Sequence, residues 1–172
     1  HDDFLVVSWI VGGNFFNTCA LLAFDLSAIP AGAPIISAQL SLYHNPSSLS
    51  GNIGHSQNGG SNAGWLKRIS TAWDEMTVTW NNQPSTTTQN QVNLSASSSN
   101  TQDYLNIDVQ ALIQDMVNAP GQNNGFMLQL QTESPLRSLL FASSDHANSA
   151  LHPRLVVVYE DTTAAECISL QP

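Results

Sequence analysis

Two adjacent carboxylate pairs, five histidines and two cysteines are the residues of this 172-residue chain whose types could do chemistry. The pairs are Asp2-Asp3 and Asp74-Glu75. Hydrolysis of a glycosidic bond needs two carboxyl groups about 5–10 Å apart across a cleft. Neighbours on a strand point to opposite faces, so neither pair forms such a site alone. His1, His44, His55, His146 and His152 show no HExxH or comparable ligand spacing. Asp145-His146 and His152 fall in one stretch and could approach each other, as a metal site or, in the ordinary case, as a hydrogen-bonded loop. Cys19 and Cys167 can form one disulfide, which an extracellular setting permits; two separate thiols are the alternative. Neither cysteine has the second sulfur or spaced histidine of a metal site. No nucleophile elbow, phosphate loop, dinucleotide fingerprint or EF-hand spacing occurs. No catalytic residue, metal or cofactor is assigned.

Aromatic rings offer a second kind of chemistry. Sugar rings stack on flat side chains while amides and carboxylates bond their hydroxyls. Trp9, Phe15, Phe16, Trp65 and Tyr104 are not forced inward by their surroundings and are the candidate ligand-binding residues. Packing in a core or interface is the competing reading for each of them.

Short apolar or alternating runs bounded by turn residues must position these groups. They cover 4–9, 20–26, 35–43, 65–69, 77–80, 126–130, 139–142 and 155–159. In the third, Ile36, Ala38, Leu40 and Leu42 fall on one face. Residues 44–62 and 85–102 are rich in Ser, Asn, Gln and Thr or Gly and read as loops. One segment has another period: Val109, Leu112, Ile113, Met116 and Val117 follow helical spacing. A helix is expected at about 108–118, with Asp108 as N-cap and Pro120-Gly121 as its stop. About eight short strands with one inserted helix predict an all-β fold, an antiparallel two-sheet β-sandwich of jelly-roll type.

Composition narrows the partners. Charged residues make up only 10% of the chain, against about a quarter in typical proteins. Four basic residues against thirteen acidic ones leave a net charge of -9. Without a basic stripe, nucleic acid and anionic membrane surfaces are not expected partners. No run of eighteen apolar residues predicts a membrane span. The acidic start His1-Asp2-Asp3 lacks a signal-peptide pattern, so a mature or trimmed secreted product is expected.

Five segments, in order, resemble the DNRLRE-type domain, grouped with carbohydrate-binding module family 96. They are Leu21–Pro30 (LLAFDLSAIP), Ala38–Tyr43, Trp73–Pro84 (WDEMTVTWNNQP), Ile107-Asp108-Val109 through Asn124–Leu128, and Phe141–His146 with His152–Tyr159. The resemblance implies an extracellular, non-enzymatic β-sandwich, and for some relatives polysaccharide binding. Within the third segment Asp74-Glu75 reads as a turn cap, and Trp73 and Trp80 as buried anchors. Relatives have a strand before the one at Asp3–Trp9, and Glu166–Pro172 runs past their usual end.

Together these readings predict a sandwich domain over 1–160 and a tail over 161–172. An open sheet edge invites a partner strand, and the tail, with Ile168 and Leu170, is a candidate donor. The expected function is an extracellular structural or assembly module joined to other copies or neighbouring domains by strand addition. The alternative is a module that binds a polysaccharide.

Overall fold

The structure, a computed structural model, describes residues 2–48 and 54–161. The candidate donor residues Ile168 and Leu170, and Cys167 of the candidate disulfide, lie outside the described residues.

Among the described residues the chain forms eleven strands and one α-helix. The first sheet has the order β2 (Asn14–Thr18), β1 (Asp3–Val11), β10 (Arg137–Ala142), β5 (Ser56–Gln57). The second runs β11 (Arg154–Tyr159), β4 (Ile35–Leu42), β8 (Tyr104–Asp108). The third runs β3 (Ala20–Leu22), β9 (Phe126–Leu130), β6 (Gly64–Ile69), β7 (Thr86–Leu94). All the pairings are antiparallel. An all-β sandwich results, in which the ladders divide into three sheets rather than the two expected. A bridge between His44 and Phe141 ties the end of β4 to β10.

One apolar core joins the sheets. Phe4, Leu40, Leu66, Leu128 and Phe141 enter it from different strands. The helix α1 (Gln110–Asn118) adds Leu112, Ile113, Met116 and Val117, the face its spacing predicts. Val109 stands at its N-cap position, and the Asp108 carboxylate, one residue earlier, accepts from Gln110 N at 3.0 Å. The open edge expected at the chain start takes a different form. β1 pairs with β10 over Asp3–Ser8 and with β2 over Val7–Val11. At the last residue of β2, the Thr18 hydroxyl donates to Leu5 O and accepts from Val7 N, each at 3.1 Å.

Four local expectations are corrected. Residues 85–102 hold the nine-residue strand β7, not only loop; its polar side chains belong to a sheet edge, where most face solvent. Residues 77–80 form no strand, because nearby Asp and Asn side chains capture the backbone first. The strand at 20–26 ends at Leu22, and an Asx turn at Asp25 follows. Ile36 faces outward at 55% exposure while Ile35 is buried. The register slips there, pairing Tyr159 with Ile35 and Val158 with Ser37, so a bulge turns Ile36 out of the expected face.

Candidate functional site

The segment between β6 and β7 builds the site. Its base is closed by Ser70 N donating to Ser85 O (2.8 Å) and Ser85 N donating to the Thr71 hydroxyl (2.9 Å). Asp74 then organises the first turn. Its carboxylate accepts from Met76 N at 3.0 Å and the Thr77 hydroxyl at 3.1 Å, and its carbonyl accepts from Val78 N at 2.9 Å. Asn82 organises the second. Its amide oxygen accepts from Thr79 N and the Thr79 hydroxyl, and its amide nitrogen donates to Thr77 O at 3.0 Å. A 3-10 turn at Trp80–Asn82 completes the loop.

Two tryptophans ride on this frame. The Trp73 indole N–H donates to Asn124 O at 2.8 Å, which fixes the half-buried ring against the turn before β9. Trp80, expected to be buried, is 51% exposed. Its ring is left open to solvent on a loop held by its own hydrogen bonds. Both rings line a cleft of about 590 Å³ at one end of the sandwich, within the usual span of ligand sites, roughly 300–1,000 Å³. The loop supplies Glu75, Thr79 and Gln83; the start of β1 supplies Asp3; the turn after β10 supplies Ser143, Ser144 and Asp145.

Asp3, Glu75 and Asp145 thus meet in one cleft, although they lie far apart in the chain. Pairwise spacing along the sequence missed this grouping. Cys19 lines the cleft too. Burial pushes its thiol up to about 11, the Glu133 carboxylate adds to the push and Lys67 opposes it. As a free thiol, Cys19 would be protonated at neutral pH.

The five aromatic residues picked from sequence lie elsewhere; none of them lines this cleft. Trp9 and Phe16 are cross-strand partners in the β1–β2 hairpin, so they share a face, and Phe16 is 39% exposed. Phe15 pairs with Ile10 on the opposite face and cannot join them in one platform. Trp65 is half-buried on β6. Tyr104 is only 7% exposed and belongs to the core. Its hydroxyl donates to Ser95 O at 2.8 Å, and burial pushes its pKa up to about 12.

Two of the described histidines, His146 and His152, sit in a structural network. His146 Nε2 lies 3.0 Å from the Ser47 hydroxyl, and His152 Nε2 lies 2.7 Å from His146 O. The stretch is therefore a hydrogen-bonded loop. Among the described residues no group of three or more His, Cys, Asp or Glu side chains is arranged to hold a metal ion. No described helix is long and apolar enough to cross a membrane.

Comparison with known proteins adds one finding. The model of carbohydrate-binding module family 96 matches residues 3–159. No curated protein matches the chain.

Proposed function

This chain belongs to carbohydrate-binding module family 96, and on that premise we propose that it is a non-catalytic, extracellular module that seats a polysaccharide in the Trp73–Trp80 cleft. The observation that carries the reading is the open Trp80 ring, held by a braced loop over a cleft rich in hydroxyl, amide and carboxylate groups. The ring offers an apolar face to a sugar, and the polar lining offers partners to its hydroxyls. The carboxylates serve as hydrogen-bond acceptors in this role, and polysaccharide is bound without cleavage.

Trp80→Ala is expected to weaken retention on a polysaccharide gel at least about tenfold, or about 1.4 kcal/mol, with thermal stability unchanged. Phe16→Ala, on the hairpin, leaves retention unchanged if the cleft is the site. The reverse pattern moves the site to Trp9 and Phe16, and no retention on any gel removes the reading.

A second reading, assembly by strand addition, draws on β11. This strand stands at the edge of its sheet with the sequence RLVVVY, and Val156 and Val158 are 48% and 47% exposed. Apolar edge strands are templates for a further strand.

A further inference from the structure

We infer that the bound polysaccharide does not end at the cleft but continues onto the outer face of the adjoining sheet, where Trp65 and Lys67 form a further subsite; the inference rests on the carbohydrate reading of the cleft. The register of three neighbouring strands carries it. Leu21 on β3 pairs with Met127 on β9, and Met127 pairs with Lys67 on β6. Leu21 itself lines the cleft. Two residues along, Gln129 on β9 pairs with Trp65 on β6, and Trp65 pairs in turn with Asn93 on β7. Side chains alternate between the two faces of a sheet. Ala20, Leu66 and Leu128, which fall between these residues, enter the core. Leu21, Lys67, Gln129 and Trp65 therefore share the opposite face.

Strands in a sheet lie about 4.8 Å apart, which puts β6 roughly 10 Å from β3 and the cleft beside it. A chain of several sugar residues spans that distance, and a single residue does not. Buried Met127 closes the floor between Leu21 and Lys67. Lys67 stands close enough to the cleft residue Cys19 to oppose the rise of its thiol pKa. Trp65, Lys67 and Gln129 are half-buried, and Asn93 is exposed. A partly open indole offers flat apolar area to a sugar ring, while the ammonium and amide groups beside it donate to sugar oxygens. The Asn93 amide is braced by Gln131, whose side chain donates to it and, at 3.3 Å, to Gly64 O. One chain that engages both the cleft and this face gains over either contact alone, because the second contact is made within the complex.

The test is calorimetry of the whole chain with size-graded oligosaccharides of alginate, galactomannan, xyloglucan and mixed-linkage β-glucan, each taken from disaccharide to decasaccharide. The expected result is at least one series whose affinity keeps rising beyond its shortest binding member. Trp65→Ala should lower affinity for the longest members at least about fivefold and leave the shortest binding member unchanged. Trp80→Ala should weaken every length, and Trp65→Tyr, which keeps a flat ring, should restore most of the gain with length. Because Trp65 is half-buried, Lys67→Ala serves as a second probe that leaves the ring in place; its loss should also be confined to the long members. A parent affinity that is flat with length overturns the inference and leaves the cleft standing. So do Trp65→Ala and Lys67→Ala variants that keep the parent's gain, or that lose as much on short members as on long ones. Binding of no series defeats the inference and the carbohydrate reading together.

Discussion

At the scale of single residues, buried polar groups do structural work in stretches whose composition suggests solvent. His55 is the clearest. Its Nδ1 accepts from Leu140 N at 3.0 Å and its Nε2 lies 2.7 Å from Gln102 O, so the ring is held neutral with Nε2 protonated. Burial holds its pKa below the ordinary 6.5, His44 adds to that, and the Gln102 carbonyl and Asp103 oppose it. Protonating Nδ1 removes the acceptor that Leu140 N uses. The unfolded chain takes up this proton near pH 6.5, while the folded chain resists until lower pH. Stability from His55 is therefore complete above pH 6.5 and lost as pH falls through the lowered folded value. Thermal midpoints followed from about pH 8 to about pH 5 should fall, and His55→Gln should fall less over that window. Parallel curves for the two proteins exclude His55 as the source. Asn62, also buried, donates to Ser138 O and the Ser97 hydroxyl and accepts from Ser97 N, all at 2.9 Å. Nothing in a Gly/Ser/Asn-rich run distinguishes such an asparagine from a solvated one, because its partners arrive from residues 35 and 76 positions away.

At the scale of elements, the braced loop and one close approach can be tested directly. Asp74→Ala removes the acceptor of the Met76 N–H and the Thr77 hydroxyl. Loss of such a turn-capping bond costs about 0.5–2 kcal/mol where the backbone is ordered by it. Because the freed loop carries Trp80, polysaccharide affinity should fall more than stability does; an unchanged affinity by calorimetry argues that Trp80 is positioned otherwise. Gly125 opens β9 with φ at +81°, and a Cβ there would stand 2.3 Å from Leu22 O. Backbone cannot yield that much without breaking the β3–β9 ladder. Gly125→Ala should destabilise by well over the about 0.5 kcal/mol within which surface changes usually fall, and a near-parental denaturation midpoint would show that β3 can shift. The helix was legible as an element because its period is local. The 77–80 stretch was not, because side-chain capture of the backbone competes with strand formation on equal terms.

At the scale of the molecule, β11, an edge strand among the described residues, sets the expectation for assembly. If strand addition operates, scattering-coupled size exclusion should show a concentration-dependent oligomer, and Val156→Lys should return it to monomer by placing charge on the edge. A parent monomeric at every concentration removes that reading. Polysaccharide binding does not depend on the outcome, since the cleft draws on β1, the 73–83 loop and the turn after β10 rather than on β11.

What the chain alone determined was the class of fold, the helix, most strands and the family likeness, because period-two and helical patterns and ordered motifs are written in consecutive residues. The motif WDEMTVTWNNQP was visible as a motif, but whether its second tryptophan faced the core or the solvent was not. That was decided by the Asp74 and Asn82 networks, which turn the segment outward. The meeting of Asp3, Glu75 and Asp145 belonged wholly to the tertiary structure. Their proximity follows from how the sheets stack and where the loops between them emerge, and no spacing along a chain encodes a distance across a cleft.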